Sequence, residues 1–135
     1  MKIVVDSNRL FAALAKEGTT RILLMHPAFE FVAPEYIVHE LRTHLRRICE
    51  ITSTTRAEGE LLFALLSRFI TLVPEWEYTA FLAEAAQAVT DPTDTPFMAL
   101  CMSSQAAGVW THDNDFLQQH RVKTFTNIDL LNMIR

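Results

Sequence analysis

The chain has 135 residues, half of them hydrophobic, with three glycines and five prolines. That suits one domain with a real core and excludes a disordered or low-complexity chain. A formal net charge of −4 excludes a generic basic nucleic-acid binder, although a bound cation and a local basic patch can reverse the potential at one site.

Residues 2–5 form an apolar run that predicts a buried strand ending at Asp6. Ser7-Asn8 offers a cap for a helix through Leu10, Phe11 and Leu14, stopped at Gly18. Thr19-Thr20 starts a second short helix that ends near His26-Pro27, and Phe29 to Ala33 is a second strand. Pro34 is expected to open a helix whose apolar residues Ile37, Val38, Leu41, Leu45 and Ile48 repeat at about 3.6 residues. The Ser/Thr cluster Thr52–Thr55 caps a further helix through Leu61, Leu62, Leu65, Leu66 and Phe69. Ile70 to Val73 predicts a strand, and Trp76 to Val89 a helix. After the turn Asp91-Pro92-Thr93-Asp94, Pro96 takes a favoured first-turn position in the helix Phe97 to Ala107. Strands at Val109 to Thr111 and Thr124 to Thr126 and a closing helix at Ile128 to Ile134 complete the chain. No linker or repeat interrupts it, so residues 1–135 are expected to be a single domain.

Met1-Lys2 leads directly into the first strand, so no secretory leader is expected. The longest apolar stretch, Leu61 to Val73, is broken by Ser67 and Arg68 and is too short and polar for a membrane span. Cys49 and Cys101 form no Cys-x-x-Cys pair, as expected of reduced thiols in a cytoplasmic protein.

Short strands alternating with helices predict an α/β fold with a parallel sheet covered on both faces. Right-handed crossovers align the strand carboxyl ends along one edge, where ligands bind in such sheets. Asp6 and Asp113 fall on that edge. Taken singly, each acid has a plain explanation: Asp6 as a helix cap, Asp91 and Asp94 as turn residues, Asp113 and Asp115 as a solvated turn, Glu40 as a surface residue. Together at one edge they would repel one another, so they must take up protons or a cation. All-oxygen donors favour a hard divalent ion such as Mg²⁺ or Mn²⁺.

Two other features invite a functional reading. His39-Glu40-Leu41-Arg42-Thr43-His44 looks like a zinc protease motif, but its histidines are five residues apart, about 140° around a helix. Zinc is therefore excluded there. Arg42 and Arg46 share a face of the Glu40 helix and are candidates for phosphate contact; a solvated face or a subunit salt bridge explains them equally well.

The chain resembles a PIN domain, the small nuclease fold of VapC-type toxins and stand-alone prokaryotic PIN proteins. The matching residues are Val4-Val5-Asp6-Ser7-Asn8, then Glu40, then Asp91-Pro92-Thr93-Asp94-Thr95-Pro96-Phe97-Met98-Ala99-Leu100, and finally Val109-Trp110-Thr111-His112-Asp113-Asn114-Asp115-Phe116. The resemblance implies a three-layer α/β/α sandwich with four to five short parallel strands in the order 3-2-1-4-5. It also implies Mg²⁺- or Mn²⁺-dependent endoribonuclease activity leaving 5′-phosphate and 3′-hydroxyl ends. Carried over residue by residue, it makes Asp6, Glu40, Asp94 and Asp113 the catalytic set, with Asp6, Asp94 and Asp113 on the metal. Asn8, Asp91, Thr111 and Asp115 become accessory groups. Arg9 departs from the pattern, standing where many members carry an apolar residue. A homodimer and a cognate antitoxin protein are further implications. The alternative is a catalytically inactive PIN-like module that binds RNA or protein. A receiver-like signalling domain fits poorly, because Ser7-Asn8 stands where such domains pair their acids, and Pro74 follows the third strand.

Overall fold

The computed structural model describes residues 1–135. Five parallel strands, β1 (Lys2–Val5), β2 (Glu30–Pro34), β3 (Ile70–Val73), β4 (Val109–Trp110) and β5 (Thr124–Phe125), form one sheet in the order β3-β2-β1-β4-β5. Parallel strands need long crossovers, and helices supply them. They are α1 (Ser7–Ala15), α2 (Thr19–Leu24), α3 (Tyr36–Thr52), α4 (Arg56–Leu66), α5 (Leu82–Ala88), α6 (Thr95–Ser104), α7 (Asn114–Gln118) and α8 (Asn127–Met133). The sheet flanked by helices is the α/β/α sandwich expected, in the expected strand order.

The central strand β1 is apolar because both of its faces are covered; Ile3, Val4 and Val5 are fully buried. Its register pairs Val4 with Val32 on one side and with Val109 on the other. Phe31 and Trp110 stack with ring centroids 5.0 Å apart, joining the two strands that flank β1. Helix α6 packs across β1 and β2, with α5 against it, and α1 lies on α3. No helix is long and apolar enough to cross a membrane.

Local signals set some boundaries. Thr55 caps α4 by accepting from the Glu58 amide, while the Glu58 carboxylate accepts from the Thr55 amide, a reciprocal capping box. Pro34 closes β2 rather than opening α3, which begins at Tyr36. The segment Trp76 to Val89 is not one helix. It forms tight 3-10 turns at Glu75–Glu77 and Thr79–Phe81 before α5 starts at Leu82. Tyr78 is buried while Trp76 is 77% exposed, and Tyr78 leaves the helical region at φ −123°, ψ 5° to reach the core. The Asp113-Asn114-Asp115 stretch, whose plain explanation is a solvated turn, runs into the five-residue helix α7.

Candidate metal centre

The acids meet at the carboxyl edge of the sheet. Asp6 follows β1, Glu40 lies in α3 after β2, Asp94 immediately precedes α6, and Asp113 and Asp115 follow β4. Two of the plain explanations can be tested by hydrogen bonding. Asp6 and Asp94 occupy cap positions of α1 and α6, yet neither side chain caps its helix. Both are buried, at 3% and 4% exposure. Asp91 and Asp113 do cap: Oδ1 of Asp91 accepts from the Thr93 amide and hydroxyl, and Oδ1 of Asp113 from the Asp115 amide.

Carboxylate oxygens of Asp91, Asp94 and Asp115 lie within 4.8 Å of one another. Within this group, Oδ2 of Asp94 is buried with no hydrogen-bond partner. A buried carboxylate oxygen without a donor is costly. Burial pushes the Asp94 carboxyl up to about 8, and the charges of Asp113, Asp6, Asp91 and Asp115 push in the same direction. All five aspartates therefore share one field, with Asp94 at its centre. Burial likewise raises Asp6 to about 6, against the hydrogen bond from Thr111, with Asp113 adding to the rise. These are hard oxygen donors with an unmet need for positive charge, so the residues present fit a divalent cation.

Neighbouring polar groups fix the acids in place. The Thr111 hydroxyl is fully buried; it donates to Oδ2 of Asp6 at 2.7 Å and accepts from the Asp113 amide at 2.9 Å. One hydroxyl thus ties the end of β1 to the loop after β4. Ser7 donates to Oε1 of Glu40 at 2.6 Å, tying α1 to α3. Burial also raises the Glu40 carboxyl, against the Ser7 hydrogen bond, and the charges of Asp6 and Asp91 add to it. Arg9 lies on the Asp6 side. Its Nε is buried without a partner, and burial lowers its basicity while Asp6 restores part of it.

The remaining candidates lie further out. Asn8 is exposed at the mouth of a cleft between α1 and α3. Arg42 and Arg46 are exposed, and Nε of Arg46 pairs with Glu50 at 3.2 Å. On α3 they stand about 200° and 240° around from Glu40, so the structure does not bring them to the acids. Ser7 escaped the sequence reading because a hydroxyl one residue past an acid carries no spacing signal of its own. No histidine belongs to the group of Asp91, Asp94 and Asp115; Nε2 of His112 accepts from the Asn127 amide, and Nδ1 of His26 from that of Ala28.

Comparison with curated proteins gives no match. The PIN domain family model matches residues 4–130, a span that reaches from β1 into α8 and takes in every acid described above. With that match, a 3-2-1-4-5 parallel sheet and an acidic cluster at its carboxyl edge, the chain belongs to the PIN domain family and has a nuclease-type fold.

Proposed function

We propose that this chain is a Mg²⁺- or Mn²⁺-dependent endoribonuclease that hydrolyses RNA phosphodiester bonds. The observation that carries the reading is the buried, unpartnered Oδ2 of Asp94 among four further aspartates. A merely structural acid would have found a donor or been replaced by a neutral residue. Asp6, Asp94 and Asp113 would hold the cation, with Asp91 and Asp115 close enough to share it.

A divalent ion held there supplies Lewis-acid chemistry: it neutralises phosphate charge and eases deprotonation of a water. The chain's own residues do the rest. Thr111 holds Asp6 and the Asp113 backbone in one arrangement, so the donor oxygens are preset. Ser7 fixes one oxygen of Glu40. Burial raises that carboxyl and so makes it the stronger base, which suits it to take a proton from an attacking water. No side-chain nucleophile is required.

The test is a Mn²⁺ titration by calorimetry beside cleavage of a mixed-sequence RNA. Wild type should bind Mn²⁺ and cleave only with a divalent ion present. Asp94→Asn should lose both. Cleavage at the wild-type rate in EDTA would overturn the mechanism. A role as the toxin of a toxin–antitoxin pair belongs to the same reading. Its test is growth arrest on induction, relieved by Asp94→Asn; an active nuclease that leaves growth unchanged would remove the toxin role and leave the chemistry intact.

A further inference from the structure

Helix α3 carries more toward the acids than Glu40. Measured around the helix, Tyr36, His44 and Arg47 all lie within about 40° of Glu40. The four residues form a line about 16 Å long at a rise of about 1.5 Å per residue. The line flanks the buried face of Ile37, Leu41, Leu45 and Ile48 and is separate from the face of Arg42 and Arg46.

Each end has its own observation. At the N-terminal end, the Tyr36 ring is half-buried and stacks with His39, centroids 5.8 Å apart and planes 28° apart. Burial raises the Tyr36 hydroxyl, and Glu40 in α3 and Asp91 in the turn before α6 both add to the rise. One turn before Glu40 on the same flank of α3, the ring stands at the rim of the acidic site. At the other end, His44 and Arg47 line a cleft of about 380 Å³ that begins at Asn8 and has Phe11, Ile48 and Ile51 among its walls. His44 rests on Phe11 at 5.2 Å. Arg47 is exposed and has no acidic partner, whereas its neighbour Arg46 is held by Glu50.

We infer that this flank of α3 is the track of the substrate strand: an unpaired base stacks on the Tyr36–His39 face, the scissile phosphate lies by Glu40, and a flanking phosphate sits on Arg47 in the α1–α3 cleft. The inference rests on the nuclease reading and assigns its substrate contacts. The alternation suits a single strand, which offers π-faces and phosphates in turn. A paired base has its faces covered by its neighbours and cannot use the ring. The sequence signal is Tyr36, Glu40, His44 and Arg47 at spacings of four, four and three.

The test is fluorescence anisotropy in Ca²⁺ with a short fluorescein-labelled single-stranded RNA and its duplex. Arg47→Ala should weaken binding of every sequence and reduce the salt slope by about one. Tyr36→Ala should weaken single-strand binding at least about fivefold while duplex binding is unchanged, and Tyr36→Phe should bind as wild type. Arg42→Ala should leave both intact. Wild-type affinity and slope in Arg47→Ala would overturn the track. So would equal losses in Tyr36→Phe and Tyr36→Ala, or a change of molecular mass in Arg47→Ala, which would make the flank a protein interface. If wild type cleaves RNA with Mn²⁺ and the variants keep its KM, the track alone fails. If wild type neither binds nor cleaves RNA, the nuclease reading fails and the track falls with it.

Discussion

Asp94 concentrates the electrostatic cost of the site in one side chain, so its titration reports on the whole cluster. In the unfolded chain its carboxyl titrates near 3.8, and in the fold near 8. Between those values the folded state holds a proton that the unfolded state has released. Stability without metal is therefore fully present below about pH 4, falls as pH rises, and levels off above about 8. Asp6 adds to the loss over the narrower window from 3.8 to about 6. Asparagine cannot ionise, so Asp94→Asn should melt with wild type at pH 4. At pH 8 in EDTA it should melt higher, by at least about 1 kcal/mol or roughly 3–6 °C. Adding Mn²⁺ should reverse the order, since a cation at about 100 times its Kd stabilises wild type by about 2.7 kcal/mol and has lost a central ligand in the variant. Thermal melts at the two pH values, with and without Mn²⁺, check all three points. A wild-type Tm that does not fall between pH 4 and 8 in EDTA would contradict the assignment.

Among the elements, legibility followed length and the strength of the local pattern. Helix α3 has 17 residues and buries Ile37, Leu41, Leu45 and Ile48 at the spacing its sequence displays. The strands β1 and β2 stand out as short apolar runs. Helix α7 has five residues and one buried side chain, Phe116, too few to show any period. The stretch from Trp76 to Val89 has enough apolar residues for a helix, but the burial of Tyr78 and the exposure of Trp76 divide it. At the site, the strand-end acids could be listed from the sequence. Which oxygens approach within 4.8 Å could not, because Asp113 spends one oxygen on capping α7 while Asp115 reaches Asp91 and Asp94. The same limit applies to the basic groups: Arg42 and Arg46 share a face, but only the packing of α1 shows that His44 and Arg47 line the cleft beside it. One short element invites a direct test. A Cβ on Gly108 would lie 2.4 Å from the Lys123 carbonyl oxygen and 2.8 Å from the Phe125 ring. That carbonyl accepts from the Val109 amide, the first bond of the β4–β5 pairing. Gly108→Ala should therefore spread these two-residue strands and cost about 1–3 kcal/mol, as overpacking does. A drop of roughly 3–10 °C in Tm is expected, with weaker Mn²⁺ binding because β4 leads into Thr111 and Asp113. An unchanged Tm would mean that the β5 edge yields freely.

The whole molecule leaves apolar surface uncovered on the side of α2 and α4. Ile22, Met25, Leu61, Leu65 and Phe69 are each more than 40% exposed. Met25, Leu65 and Phe69 line a cleft of about 570 Å³ with Arg21 and Arg68 among its walls. Grouped apolar side chains rimmed by charge mark contact surfaces more often than scattered ones do. Trp76, 77% exposed, is a further apolar side chain free for such a contact, while Tyr78 has gone into the core. The surface shares no residue with the acidic cluster or with the α3 flank, so its occupancy and catalysis are separable. We expect a homodimer through the α2–α4 face, running at twice the 15.4 kDa chain mass in light scattering at tens of micromolar. Leu65→Glu places a charge in the middle of that face, at a side chain already 48% exposed, so the fold should tolerate it. The variant should run as a monomer with wild-type Mn²⁺ affinity, because an unpaired charge is tolerated in solvent and is costly once an interface buries it. A wild-type mass of one chain at that concentration would rule out pairing through this face. A Leu65→Glu protein that stays dimeric would move the interface elsewhere, with Trp76→Ala as the next variant to weigh.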